Sequence, residues 1–579
     1  MHTTLLNFLL LISVIWPLFL MFMLTFKHLH SKLLYLTPWA ALPGLAAVII
    51  ASTTVTQVQL PWLLVGGTYA LDETGKIFML LATLLWSVSG VYARSYFKSI
   101  EEQVRFYRYF LLAMAGNFIL ILAQDPISFY FGFTLMSFAS YGLIVFKKDT
   151  ISFKAGLVYI SLVILGEVML FSALLMATNA SESTMFPAII ESIITDHNHD
   201  LIIFLILTGF GLKAGVFGLH VWLPLAHPVA PAPASAVLSG TMIKAGILGW
   251  IRFLPLGETP LPEWGTAMII LGLFTAFYGV IIGLTQRDPK TVLAYSSISQ
   301  VGIITMSIGL GMQVPEIWPV MLTGIAFYAL HHGLSKGALF LGAGLCGSQQ
   351  QIHRVWIWLG LWLPALAIAG APWTSGMLAK DLVKSYSLYA PAPWDTLLPL
   401  LLSGSAVATA LLMARLLYLV RPSAEPYGAE PLIGLVLPWV ALLLIIIFVP
   451  WLPVYSFEYS MSNQIFGSLW PLLLSLVISV GVYRIHIFQT VKPIPAGDIL
   501  VWIESVLSVL RNHLKKLNDF AQQYILLQQY SKLRINSIQT VFFTKLGQIE
   551  SSLARWEVSM LFMVIIITLV GLLLYGSST

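Results

Sequence analysis

The chain has 579 residues, 58% of them hydrophobic and 9% charged. Soluble domains carry about 25% charged residues, so this composition belongs in a lipid bilayer and excludes a water-soluble globular enzyme. The formal net charge of +5 is spread over connections and one late segment, which excludes nucleic acid as a partner. The single cysteine, Cys346, excludes an intrachain disulfide and any cysteine-built metal or iron–sulfur centre.

A run of about 20 apolar residues spans a bilayer. Sixteen such runs follow one another, at roughly 4–26, 33–53, 75–97, 105–123, 126–146, 154–178, 199–221, 231–254, 263–285, 290–310, 316–344, 356–385, 396–418, 431–450, 467–487 and 557–575. The first has no basic segment ahead of it and no small-residue cleavage site, and reads as a retained helix rather than a signal peptide. Residues 55–73 alternate in polarity and turn at Gly66-Gly67, which predicts a short hairpin outside the membrane. Lys and Arg fall on alternate connections: Lys27 and Lys32; Arg94, Lys98, Arg105 and Arg108; Lys147, Lys148 and Lys154; Arg287 and Lys290; Arg354; Arg415 and Arg421. Positive-inside logic makes these cytoplasmic. The expectation is a multi-pass protein of the inner (plasma) membrane with both termini outside the cytoplasm.

Residues 491–556 break the pattern. They carry Arg511, Lys515, Lys516, Lys532, Arg534, Lys545 and Arg555, yet place Ile503, Leu507, Leu510, Leu514, Leu517 and Tyr524 at helical spacing. One apolar stripe on a long polar helix is the mark of an amphipathic element. At roughly 1.5 Å per residue it reaches about 90 Å. It is expected to lie along the cytoplasmic face, held by the last span.

The seventh and eighth runs contain a lone Lys213, then His220 and His227, a proline-rich interruption from Pro224 to Pro233, and a second lone lysine, Lys244. Ionisable groups at membrane depth are costly and mark ion or proton routes. A proline-broken helix is tolerated there only where protein or a water-filled cavity satisfies the freed backbone. Inverted-repeat transporters carry such breaks in matching positions. The twelfth run supplies the match, with Ala369-Gly370-Ala371-Pro372 followed by Lys380 and Asp381. The eleventh carries His331, His332 and Lys336, of which the last two are four apart and share a helix face. With Glu167 in the sixth run, these residues form a row. A desolvated lysine loses proton affinity and histidine exchanges protons near neutrality, so such a row can act as a proton wire. The competing reading is lysines reaching from helix ends to the interface.

The stretches LHVWLPLAHPVAPAPASAVLSG, DPKTVLAYSSISQVG, HGLSKGALFLGAG and SGMLAKD resemble the antiporter-like proton-translocating membrane subunits. These occur in complex I, in Mrp-type Na+/H+ antiporters and in group 4 hydrogenases of the formate hydrogenlyase type. The likeness covers about residues 70–420, and AHPVAPAPASAVLSGTMIKAG is most like the large hydrogenase-type subunit. It implies an all-α polytopic fold with two inverted five-helix repeats, broken helices seven and twelve, a lateral helix and a terminal anchor. The expected divisions are 1–104 (helices one to three with the hairpin), 105–254 (first repeat), 263–420 (second repeat), 431–490 (helices fourteen and fifteen), 491–556 (lateral helix) and 557–579 (anchor).

By the same resemblance Lys213 matches the helix-seven lysine, His220 and His227 the histidines near the break, and Lys244 the central lysine of helix eight. His332 and Lys336 match the connecting residues of helix eleven, and Lys380 the terminal proton-site lysine, with Asp381 beside it. Glu167 stands where some relatives carry an acidic residue. Two positions depart from the pattern: Thr134 occupies the place of the helix-five glutamate that pairs with the lysine, and Gln300 that of a helix-ten histidine.

The function expected is transport of protons, with Na+ as the alternative ion, by one subunit of a multisubunit energy-converting complex. The chain has no cofactor motif, no convincing metal cluster (His197 and His199 of DHNHD read as surface polarity) and no catalytic centre of its own. The redox chemistry is expected on a soluble partner held with other membrane subunits. The alternatives are a membrane subunit of an inorganic-carbon uptake complex with a soluble zinc partner, and a scaffold that does not pump.

Overall fold

A computed structural model describes residues 2–501, apart from 52–54, 62, 64–65, 180, 182–184, 347–350, 423–432, 452–460 and 485–491, and a few residues between 505 and 511. Two compact units are separated at Val501 and Trp502. The proposed final span, and all of the proposed lateral helix beyond its first turns, lie outside the described residues.

The first unit is helical almost throughout. α1 (His2–Met23) is followed by α2 (His30–Leu36) and α3 (Leu42–Ile50), then by the antiparallel strands β1 (Gln57–Leu60) and β2 (Gly67–Ala70). α4 (Glu73–Tyr96), α5 (Ile100–Leu122), α6 (Pro126–Ile144) and α7 (Thr150–Asn179) come next, with a short α8 (Phe186–Thr195) before α9 (His199–Ala214). α10 (Trp222–Val229) and α11 (Ala232–Val237) lead through a π turn, Leu238–Met242, into α12 (Ile243–Phe253). The rest is α13 (Pro262–Thr285), α14 (Pro289–Gln313), α15 (Trp318–Cys346), α16 (Gln351–Ala369), α17 (Ser375–Ser387), α18 (Trp394–Leu419), α19 (Ile433–Phe448) and α20 (Met461–Arg484).

Among the described residues, twelve helices are long and apolar enough to cross a membrane. The second expected run is divided into α2 and α3 because Pro38 and Pro43 cannot continue a helix. The hairpin forms where the alternation predicts it. α8 was not expected; its ten residues are too few to register as a span.

Two helix pairs cross through glycine. A Cβ on Gly116 of α5 would lie 2.5 Å from the Met136 nitrogen and 2.7 Å from the Gly132 carbonyl of α6. Gly272 of α13 meets the Met306 nitrogen and the Gly302 carbonyl of α14 in the same way. Both α6 and α14 also begin alike. Asp125 precedes Pro126 and accepts from Ser128 N at 2.7 Å; Asp288 precedes Pro289 and accepts from Thr291 N at 2.8 Å. Aspartate as N-cap with proline in the first turn is a strong helix start.

The core lies around α14 and α15. Every residue of α14 from Thr291 to Met312 is buried, and α15 packs against α4, α11, α14, α16, α17 and α19. α15 carries two histidines and a lysine at full burial, so it is an interior helix shielded from lipid.

At the end of α4 nearest the hairpin, Asp72 caps the helix through Gly75 N (2.9 Å) and takes both Arg252 nitrogens, at 2.6 and 2.7 Å. Burial pushes its carboxyl up, but the Arg252 charge and hydrogen bonds outweigh this and hold it below the usual carboxylate range. The fork–fork pair ties α12 to α4. Because the folded-state affinity for the proton is lowered, this contribution is present above the ordinary carboxylate value near pH 4 and fades as pH falls through the lower folded value. Asp72→Asn is therefore expected to lower the thermal midpoint at neutral pH by an amount corresponding to about 1.5–3 kcal/mol. The difference from the parent should shrink on acidification below pH 4; an equal midpoint at neutral pH would refute the clamp.

Candidate functional site

The first helix break lies at glycine, earlier than the proline-rich stretch. α9 ends at Ala214, and Gly215 takes the left-handed conformation (φ +82°), returning its N–H to Gly211 O at 2.8 Å. This is a glycine C-cap, and Gly218 (φ +84°) continues the turn. The prolines do something else. Pro224 lies in the first turn of α10, Pro231 is the N-cap of α11 and Pro233 its second residue, places where a missing N–H costs little. Only Pro228 lies inside α10. The prolines thus start the short helices that follow the break, whereas the glycines end the one before it.

The second break falls where the sequence places it. α16 stops at Ala369, Gly370 (φ +86°) and Trp373 (φ +59°) turn the chain, and Thr374 caps α17. Gly376 in the first turn of α17 sits directly against the Ala367 carbonyl, with no room for a Cβ. The break leaves the Ala369 carbonyl free of helix bonding, and Lys380 Nζ donates to it at 3.0 Å.

Around the first break a narrow cavity is lined by Phe133, Ser137, Tyr159, Glu167, Lys213 and Trp222. Glu167 and Lys213 are 3% and 4% exposed, and burial at this level demands partners. Thr134 Oγ1 donates to Glu167 Oε2 at 2.6 Å, while Glu167 Oε1 has no protein partner. Lys213 Nζ donates to Tyr159 Oη at 2.9 Å, and that hydroxyl donates to Ser137 O at 2.8 Å. The carboxylate of α7 therefore reaches the position on α6 where the threonine stands.

Lys244 follows the π turn of the eighth run. Its Nζ donates to Ser239 O at 2.6 Å, five residues back, a carbonyl that belongs to the wide turn. Ser239 Oγ is 2.8 Å from Ser297 Oγ of α14. On α15, Lys336 Nζ donates to Leu293 O at 2.8 Å. His227 and His332 are fully buried, with no hydrogen-bond partner at either ring nitrogen among the described residues. The Lys244 charge acts on His227, His331, His332 and Lys336, and the Lys336 charge on His227 and His332, so these groups form one cluster. His331 Nδ1 lies 2.8 Å from Ser375 Oγ at the start of α17, within reach of the Lys380 charge.

Beyond it, Lys380, Asp381, Lys384, Tyr328, Ser403 and Pro471 line a partly open cavity between α17, α18 and α20. Lys384 Nζ donates to Ser403 Oγ at 2.8 Å. Gln300 accepts from Tyr328 Oη at 2.8 Å and donates to Thr409 Oγ1 at 3.1 Å.

His220 stands apart from both groups. It lies in the turn between α9 and α10, fully buried, with Asp498 Oδ1 3.4 Å from its Nε2. Burial pushes the Asp498 carboxyl up, but the contacts from His220 and the Tyr278 hydroxyl outweigh it and hold the group below the usual range.

The structure thus brings Glu167 to Thr134 and Lys213, gathers Lys244, His227, His332 and Lys336, and sets Lys380 beside Asp381. Sequence reasoning missed Tyr159, Asp498 and Lys384. Of these only Lys384, four residues after Lys380 and hence on one face with it, had a signal. Among the described residues no cluster of histidine, cysteine and carboxylate could hold a metal ion.

Comparison with known proteins shows what the chain is similar to. Residues 123–404 match the family described as NADH:quinone oxidoreductase/Mrp antiporter, TM. Hydrogenase-4 component B of Escherichia coli (strain K12) is 26% identical over 349 residues, covering 57% of this chain and 52% of that protein. The chain spans about half the length of the first curated relatives it matches. Two solved structures share the fold at 21% identity. The Mrp complex from Dietzia sp. DQ12-45-1b superposes with a TM-score of 0.75, over 96% of this chain and 63% of the other. The membrane-bound sulfane sulfur reductase, an archaeal respiratory membrane complex, superposes with a TM-score of 0.67 over 94% and 99%. Residues 123–404, just under half of the chain, hold both helix breaks and every lysine of the row, and over this stretch the chain is similar to the NADH:quinone oxidoreductase/Mrp antiporter membrane subunits.

Proposed function

We propose that the chain carries protons across the membrane as one subunit of a multisubunit energy-converting complex. The observation that carries this reading is the burial of four lysines and four histidines in and between two broken helices, each lysine bonded to a neutral oxygen. Among the described residues none of Lys213, Lys244, Lys336 and Lys380 has a carboxylate as its direct partner; they donate to Tyr159 Oη and to the carbonyls of Ser239, Leu293 and Ala369. A buried ammonium held by one neutral acceptor is costly to keep charged, and groups that gain and lose a proton easily are what a relay needs. The expected order is Glu167 and Lys213, then Lys244 with His227, His332 and Lys336, then Lys380 and Asp381. Bridging water would complete the intervals.

The two crossings through glycine, each with a methionine four residues on, and the two Asp-Pro helix starts support division into repeats of five spans, 105–254 and 263–420, with 1–104 and 431–490 outside them. Two repeats of odd span number run in opposite senses. Sixteen spans, a lateral helix over 491–556 and an anchor at 557–579, with the basic connections facing the cytoplasm, complete the proposed topology. A soluble partner supplies the driving chemistry; protons are the ion proposed, with Na+ the competitor.

Proton uptake into vesicles holding the intact complex tests this. Lys213→Ala and Lys380→Ala should each abolish coupled uptake while the subunit still assembles. Unchanged uptake in both variants would overturn the reading. Replacing Na+ with K+ in the same vesicles identifies the ion.

A further inference from the structure

Residues 492–501 come back onto the bundle after α20 and fasten to the break. Gln286 Nε2 donates to Ile494 O at 2.9 Å, and Ile494 N donates to Thr285 Oγ1 at 3.3 Å, both partners lying at the end of α13. Gly497 turns in the left-handed conformation (φ +76°) against Leu225 of α10. Asp498 then opens a helical stretch, its side chain 7% exposed. Its Oδ2 accepts from the Tyr278 hydroxyl of α13 and, at 3.2 Å, from the Tyr295 hydroxyl of α14. Its Oδ1 faces His220 Nε2 at 3.4 Å, an ion-pair separation without the alignment of a hydrogen bond.

A tie between the segment and the bundle would need only the backbone bonds at Ile494. A carboxylate brought out of water requires a counterpart, and the fully buried His220, with no hydrogen-bond partner at either ring nitrogen, is that counterpart. Among the described residues the ionisable groups acting on Asp498 are His220, Tyr278 and Tyr295. The hydroxyls can hand a proton on, and Tyr278 lies edge-on to the imidazole, with ring centroids 5.3 Å apart. All this sits at the end of the bundle marked by Arg287 and Lys290, within two turns of the start of α14.

We infer that Asp498 and His220 form a proton-loading pair, through which protons from the Arg287–Lys290 end of the bundle enter at the first helix break. The inference rests on the transport reading above and names its uptake site. A proton arriving at His220 creates an imidazolium in an apolar surrounding, and the Asp498 carboxylate supplies the opposite charge that makes its stay affordable. Without the carboxylate, loading demands a higher proton concentration.

The test is proton uptake by the intact complex in vesicles, with Asp498→Asn and Asp498→Glu measured across pH on the loading side. Asp498→Asn should lose about tenfold or more at neutral pH, a factor equivalent to one unit of proton affinity, and recover as that side is acidified. Asp498→Glu should restore most of the neutral rate. A wild-type rate and pH profile in Asp498→Asn would overturn the inference. A loss equal at every pH and not relieved by glutamate would overturn it too, leaving Asp498 a purely structural tie. If Lys213→Ala and Lys380→Ala abolish uptake while Asp498→Asn does not, only the loading pair fails. If neither lysine matters, the transport reading itself fails.

Discussion

Glu167→Gln should cut proton uptake about tenfold or more, and adding Thr134→Glu to that variant should return much of it. A counter-charge that shifts a neighbour's proton affinity by one unit is worth about 1.4 kcal/mol, a factor of ten. Glu167 shares the cavity of Lys213 and takes its hydrogen bond from Thr134 at 2.6 Å. The glutamate that the sequence resemblance leads one to expect would project from the position that the threonine holds. The carboxylate is thus supplied from α7 rather than α6, into the same space. The double variant moves it back across the cavity. Thr134→Glu alone should do harm, since it crowds two carboxylates into a cavity that holds one lysine. Normal uptake in Glu167→Gln would show that Lys213 works without a carboxylate partner, and would favour the view that this half does not pump.

Gly376→Ala should dismantle the second break. Its Cβ would run into the Ala367 carbonyl, backbone against backbone, so neither side can yield by rotating a side chain. Overpacking usually costs about 1–3 kcal/mol; with backbone on both sides we expect a loss beyond that, in the exceptional range above about 4 kcal/mol, read as loss of folded subunit from the purified complex. Gly370→Ala is the informative contrast. Its strain comes from the left-handed backbone, about 1–2 kcal/mol, and its Cβ would approach Lys380 Cδ to 2.9 Å. The subunit should assemble, with a depressed rate of uptake. Gly376→Ala assembling at the parental level would refute the close approach.

Much of this arrangement is legible in the sequence, and what escapes has physical reasons. Long apolar runs give α4 to α7 and α13 to α15 to within a few residues, because length and hydropathy are local properties. The second break is legible because Gly370 and Pro372 fall together. The first misleads, since prolines draw the eye to Pro224–Pro233 while the work is done by Gly215. Lysines and histidines stand out against an apolar background, so the side chains that prove to be buried are picked out. Their acceptors do not stand out: Tyr159 is one of 22 tyrosines, and the carbonyls of Ser239, Leu293 and Ala369 have no side-chain signature. Asp498 lies 278 residues from His220 and begins a segment whose charge suggests only a surface helix. That Glu167 would reach the Thr134 position depends on how α6 and α7 cross, which no periodicity reports.

The π turn at Leu238–Met242 has a consequence for register. A π turn holds one residue more than the α turn it replaces, and each helical residue rotates the next by about 100°. Upstream, Pro231 and Pro233 fix where α11 starts; downstream, Gly246 fits against the Phe210 carbonyl and the Ala214 nitrogen of α9. With both ends pinned, the extra residue works as a clutch. It lets the outer half of the span keep its fit to α9 while Lys244 is turned toward α15. The azimuth of the lysine is then set by the count of residues in one loosened turn and owes nothing to its own identity. Deleting Gly240, the one residue of the turn without a side chain, would remove no buried side chain and still point the charge at the wrong neighbour.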